Sequence, residues 1–116
     1  MQLKLSSPQI WLATQAVDFR RSIDGLCEIV QSHFSMEIKE SIFIFFNRDR
    51  KKVKILTWHK NGFVLIYKRL EAGCFKLCRT ESGLMVLDEK QLSWLLAGLD
   101  WVSMSSWNEL EFENYF

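Results

Sequence analysis

The sequence predicts an α+β domain in which an antiparallel β-meander packs against two main helices. Three observations predict it. Apolar residues recur at helical spacing in two separate stripes, several runs of β-branched and aromatic residues have strand length, and an Asn-Gly pair stands between two of those runs. The 116 residues suit one domain, and a hydrophobic fraction of 48% is enough for a continuous core without staples.

Taken in order, Gln9 to Ala13 is a short apolar run after Pro8 and reads as an edge strand. Ile23, Leu26, Cys27, Val30 and Phe34 form one apolar stripe, which predicts a helix from about Ser22 to His33. Asp18 or Ser22 can cap it, and Gly25 predicts an irregular first turn. Ser41 to Phe46 is apolar at both parities, as a central strand covered on both faces should be. The charged stretch Asn47 to Lys52 reads as a turn.

Val53–Trp58 and Phe63–Arg69 flank Asn61-Gly62, whose tolerance of positive φ predicts a tight hairpin. A two-residue Asn61-Gly62 loop would pair Lys60 with Phe63 and Lys54 with Arg69. Lys54, Leu56, Trp58, Lys60, Leu65, Tyr67 and Arg69 would then share one face, with Lys68 on the other. Turns are expected at Glu71-Ala72-Gly73 and Glu81-Ser82-Gly83, and a short strand at Leu84 to Leu87. Asp88 with Gln91 three residues later is a capping-box pattern. Leu92, Leu95, Leu96 and Leu99 follow as the second helical stripe, with Gly98 placed to end it. Residues 1–101 thus form the domain, and 102–116 an acidic, aromatic C-terminal extension in which Ser106 with Glu109 can start a short helix.

Met1 to Pro8 lacks the apolar stretch of a signal peptide, and no apolar run approaches the roughly 20 residues that span a bilayer. An odd set of cysteines, Cys27, Cys74 and Cys78, argues against a secreted disulfide framework, so the expected location is the cytoplasm, away from membranes.

The formal net charge of +1 conceals a strong polarity. Between Asn47 and Arg79, ten basic residues face only Asp49 and Glu71, a net +8. From Thr80 onward seven acids face only Lys90, a net −6, and the first 46 residues carry four bases and five acids, a net −1. A basic cluster concentrates anionic partners, above all nucleic acid, although lysines on a sheet edge also serve simply to discourage aggregation.

Groups for catalysis are scarce. His33 and His59 have no partner in the pattern, and Cys74-x-x-x-Cys78 lacks the second pair of a structural zinc site. Asp24 and Asp88 are accounted for at helix starts, and nothing makes Asp18, Asp49 and Asp100 converge as a metal site demands. No catalytic residue, metal site or cofactor is assigned.

Three blocks carry a family resemblance. Asp18-Phe19-Arg20-Arg21-Ser22-Ile23-Asp24-Gly25-Leu26 is similar to a D-M-R-K/R-S/G-I/F-D-G-L opening. Lys54-Ile55-Leu56-Thr57-Trp58-His59-Lys60-Asn61-Gly62-Phe63, with Tyr67-Lys68-Arg69-Leu70-Glu71-Ala72-Gly73-Cys74-Phe75, is similar to K-I-L-x-W-D-x-N-G-F and Y-K-R-L-E-x-G-x-F. Gln91-Leu92 with Leu95-Leu96-Ala97-Gly98-Leu99-Asp100-Trp101 is similar to Q-L and L-L-x-G-I/L-D-W. In order and spacing, over about residues 9 to 101, they resemble TnpB, the small accessory protein of the insertion-sequence-66 family of bacterial transposons. The chain departs from that pattern at His59, where the family has an acid, and at Lys76-Leu77-Cys78, where it often has Trp-Pro.

The resemblance implies a part in transposition beside a separate transposase. Two roles follow. In the first, the chain binds DNA at the transposon ends: Arg48, Arg50, Lys51, Lys52, Lys54 and Arg69 contact phosphates, with Arg20 and Arg21 added. In the second, it is a protein-interaction module docking on the element's transposase. DNA binding demands exposed, convergent cations, whereas docking demands an exposed apolar patch. Association with a second copy is compatible with either.

Overall fold

The computed structural model describes residues 9–39 and 41–105. Five strands form one sheet: β1 (Gln9–Ala13), β2 (Ser41–Phe46), β3 (Lys52–His59), β4 (Gly62–Arg69) and β5 (Leu84–Leu87), in the order β4-β3-β2-β1-β5. Strands β2, β3 and β4 are the expected antiparallel meander. Strand β1 joins it parallel to β2, so the sheet as a whole is mixed, and β5 closes the far side antiparallel to β1. A parallel neighbour requires a crossover, and helix α1 (Ile23–Glu28) supplies it between β1 and β2. The fold class is therefore α+β, with a sheet covered by helices on both faces.

Alternation along the strands sorts the core into two clusters. Ile10, Leu12, Ile44, Phe46, Val53 and Leu87 face one way, toward Leu95 of helix α2 (Glu89–Leu96) and toward Phe75 and Trp101. Ala13, Phe43, Phe45 and Leu56 face the other way, toward Leu26 and Val30. Phe43, Ile44, Phe45 and Phe46 are all buried, as the unbroken apolar run of β2 demands at the centre of the sheet. Each such side chain contributes about 1.5–3 kcal/mol by leaving water. Strand β1 is likewise apolar at both parities, and it lies inside the sheet instead of at its edge. The edges are β4 and β5.

The first helix is irregular at its end, not at its start. After α1 the chain widens into a π-helical turn, Ile29–His33, where the Phe34 amide donates to the Ile29 carbonyl at 3.1 Å. Gly25 has another reason to be small: a Cβ there would sit 3.1 Å from Cβ of Arg21. Ser22 occupies the N-cap position without a side-chain cap bond, and Asp18 turns its carboxylate to Arg20.

Helix α2 follows its sequence signals closely. The Gln91 amide donates to the Asp88 carboxylate at 2.7 Å, and the Asp88 amide donates to Oε1 of Gln91 at 2.9 Å, which completes the capping box. Gly98, at φ +79°, ends the helix in a Schellman motif: its amide donates to the Leu95 carbonyl and that of Leu99 to Trp94. Lys68, on the far face of β4 as expected, donates from Nζ to the Leu96 carbonyl at 2.6 Å and so satisfies an otherwise orphan helix-end acceptor. Residues 101–105 are helical again, and the Trp101 indole donates to the Lys76 carbonyl at 2.6 Å. The helix expected from Ser106 and the aromatics from Trp107 onward lie outside the described residues.

Candidate nucleic-acid interface

The basic stretch is organised by the β2–β3 connection. Asn47 is its organiser: its side-chain oxygen accepts from the amides of Lys51 and Lys52, both at 3.1 Å, and its carbonyl accepts from the Arg50 amide at 3.0 Å. Arg50 is thereby held at φ +59°, a left-handed conformation that costs a residue with a Cβ about 1–2 kcal/mol. The turn is also fastened from outside. The Phe75 amide donates to the Arg50 carbonyl at 2.6 Å, and the Leu70 amide to the Lys51 carbonyl at 2.8 Å. Phe75 is fully buried, so the turn is anchored to the core while Arg48, Arg50 and Lys51 project into solvent.

The β3–β4 hairpin differs from the expected register by two residues. His59 pairs with Gly62, and the two-residue loop is Lys60-Asn61, with Lys60 taking the positive φ of +55°. Lys54 therefore stands opposite Tyr67, and Lys52 opposite Arg69. A shift of two preserves facing, so Lys54, Leu56, Trp58, Leu65, Tyr67 and Arg69 do share a face. Two cations directly opposite each other repel; Glu71 relieves this by accepting from Arg69 Nε at 2.9 Å.

The eight nominated cations thus divide. Lys54 is committed to the fold: its ammonium donates to the carbonyls of Phe19 and Arg21, each at 2.9 Å, and lies 4.9 Å from the Phe19 ring centroid. It pins the Asp18–Arg21 loop to the sheet. Arg20 closes a forked pair with Asp18, 2.6 Å at its shortest, and that guanidinium holds the Asp18 carboxyl down at about 2. Among the described residues the ion pairs are Arg20–Asp18 and Arg69–Glu71. Arg48, Arg50, Lys51 and Lys52 enter none of them, nor does Arg21, whose backbone Lys54 holds beside the sheet.

One cation outside the nominated set stands beside Arg48 and Arg50. Arg79 lines a cleft of about 810 Å³ together with Arg48 and Arg50, between the exit of β1 and the segment that leads to β5. Sequence separation hid it: nearly thirty residues and two strands lie between Arg50 and Arg79. The only available signal was its place in the basic stretch.

The opposite property appears on the β4 edge. Phe63, Val64, Ile66 and Tyr67 are exposed by 41%, 39%, 51% and 51%, with Phe63 and Tyr67 on one face of the strand and Val64 and Ile66 on the other. Among the described residues, no group of three His, Cys, Asp or Glu side chains is arranged to hold a metal, and Cys27, Cys74 and Cys78 are free. Burial pushes the Cys27 and Cys78 thiols up, away from the reactive thiolate. No helix among the described residues is long and apolar enough to cross a membrane.

Comparison with known proteins agrees with the sequence blocks. The chain is 34% identical over 94 residues to the uncharacterized protein y4jC of Sinorhizobium fredii, covering 80% of each chain. It is 31% identical over 94 residues to the uncharacterized protein y4hO of the same organism, covering 80% of this chain and 82% of that one. No solved structure matches it. The family described as IS66 Orf2-like protein matches residues 8–106, which span all of the described fold. The chain therefore belongs to the IS66 Orf2-like family, the small accessory proteins of these transposons.

Proposed function

We propose that this transposon accessory protein is non-catalytic and binds DNA through the basic β2–β3 turn. The observation that carries the reading is the state of four cations: Arg48, Arg50, Lys51 and Lys52 are gathered on one turn, anchored to the buried Phe75, and unpaired with any acid among the described residues. Even with Asp49 among them the turn carries a net +3, and holding those cations together costs electrostatic energy that a bound polyanion would recover. Arg21 lines a neighbouring cleft with Asp18 and Glu28, whereas Lys54, Arg20 and Arg69 serve mainly to shape the surface. Contacts of this kind position a protein on a duplex and carry no sequence information by themselves.

The test is fluorescence anisotropy with labelled transposon-end DNA and a scrambled duplex across a salt series. Four phosphate contacts predict that log K falls with log salt at a slope of about −3 to −4. Arg50→Glu/Lys52→Glu should abolish binding to both duplexes. Absence of binding at low salt, or unchanged binding by the double variant, would overturn the reading.

The apolar β4 edge favours a second reading, in which the chain docks on the element's transposase. An exposed strand edge offers unpaired amides and carbonyls to a partner strand, and Phe63, Ile66 and Tyr67 add apolar contact. Co-purification of the two proteins that Ile66→Lys abolishes, with DNA binding intact, would establish docking as a separate activity.

A further inference from the structure

The cleft that joins Arg48, Arg50 and Arg79 is a different kind of place from the open turn. Its walls come from three parts of the chain: Thr14 to Ala16 at the exit of β1, the β2–β3 turn, and residues 77–81. Strands β1 and β2 are parallel neighbours, and both carboxyl ends open into it. Crevices at that end of parallel strands are where open α/β sheets bind ligands. Its volume, about 810 Å³, is of the size that encloses a small molecule.

The chemistry of the walls narrows the occupant. Three guanidinium groups and one carboxylate, Glu81, leave a net +2, and none of the three arginines is ion-paired among the described residues. Planar guanidinium forks match phosphate oxygens two at a time, which an ammonium does not. A phosphate monoester carries about −1.5 to −2 at neutral pH, close to the charge that the cleft leaves uncompensated, whereas a diester carries less. The Thr14 and Thr80 hydroxyls, 3.0 Å apart, add polar groups beside the arginines, and Thr14 is the one buried polar residue among the described residues. Leu77 and Cys78 supply an apolar wall of the sort a base or sugar can lie against.

We propose that this cleft binds the phosphate monoester of one nucleotide unit, at the 5′ end of a DNA strand or on a free nucleotide. The nucleic-acid identity of the ligand rests on the DNA reading above, but the site is separate from the duplex-facing lysines. Arg48 and Arg50 stand at the border between the two, and Arg79 belongs to the cleft alone.

Arg79 is therefore the residue to change. The probes are a 5′-phosphorylated thymidine hexamer, the same hexamer without the phosphate, deoxyadenosine monophosphate, a blunt duplex and a glutamate hexapeptide. Binding is read by anisotropy or by backbone amide shifts of residues 14–16 and 77–81. The phosphorylated hexamer should bind at least fivefold tighter than the unphosphorylated one. Arg79→Gln should weaken it at least tenfold, and Arg79→Lys should restore only part of the loss. Duplex binding should change less than threefold in Arg79→Gln and should be lost in Lys51→Glu/Lys52→Glu. If deoxyadenosine monophosphate binds with the same Arg79 dependence and similar affinity, the source is a free nucleotide; if only the hexamer does, it is a strand end. Equal affinity for the two hexamers, binding within twofold in Arg79→Gln, or equal binding of the glutamate peptide would overturn the proposal. Because Arg79 is exposed, the variant should keep the circular dichroism spectrum of the parent, and failure of duplex binding alone leaves the hexamer result to decide the cleft.

Discussion

Replacing Arg50 with glycine should make the protein more stable and a poorer ligand for DNA at the same time. Arg50 sits at φ +59°, where its Cβ crowds the following carbonyl at a cost of about 1–2 kcal/mol. Glycine removes that cost but gains freedom in the unfolded chain, which returns about 0.5–1 kcal/mol. The backbone bonds through position 50, to Asn47 and from Phe75, are kept by either residue. The net gain lies between about 0 and 1.5 kcal/mol, centred on about 0.75 kcal/mol, or roughly 3–6 °C in Tm at the centre for a domain of this size. Losing one phosphate contact should reduce the salt slope by about 0.9. Arg50→Ala separates the two effects: it removes the guanidinium while keeping the strained Cβ, so it should bind as weakly as glycine without the gain in Tm. The assays are thermal unfolding by circular dichroism and anisotropy at several salt concentrations. A fall in Tm for Arg50→Gly would refute the strain reasoning, and an unchanged salt slope would refute the role of Arg50 at the phosphate backbone.

Three further predictions bear on other parts of the structure. Lys54→Met should lower stability by about 1–2 kcal/mol in urea unfolding, because the Phe19 and Arg21 carbonyls lose a charged donor, yet leave the salt slope of DNA binding unchanged. A slope reduced by a full contact would return Lys54 to the DNA surface. Asp88→Ala should cost about 1 kcal/mol by removing the capping box, measured as a shift of the urea midpoint without change of slope. Asp18 should stay ionised to about pH 2, against 3.8 for an unperturbed group. Because its folded value is the lower one, its pairing with Arg20 stabilises above the unfolded value and is lost as pH falls from about 4 through 2. Carboxyl carbon chemical shifts against pH check this, and a midpoint near 4 would mean the pair does not persist in solution.

Much of the architecture was legible because its causes are local. The capping box of Asp88 and Gln91, the left-handed Gly98 and the unbroken apolar run of β2 act over a few residues, and each appears as expected. The facing of the hairpin was legible for the same reason, since alternation survives a register shift of two. Its register was not: Asn-Gly marks the turn, but pairing along the whole strand decides which two residues form the loop, and Lys60 accepts a positive φ to allow it. The candidate interface followed a similar division. The basic run from Arg48 to Lys52 was visible as composition, and the structure keeps it on one anchored turn.

What the amino-acid order determined alone was the kind of chain this is: its elements, its family and its polarity of charge. What only the tertiary structure decided was the partner of each charge. Lys54 is withdrawn into the fold by carbonyls more than thirty residues away, Lys68 caps a helix on the far face, and Arg79 is brought beside Arg48 and Arg50. Strand order has the same origin, for β1 becomes an inner strand only when β2 and β5 arrive on either side of it. Hydrogen bonds and ion pairs act over a few ångströms, and which residues come that close is settled by how the two apolar faces of the sheet are covered.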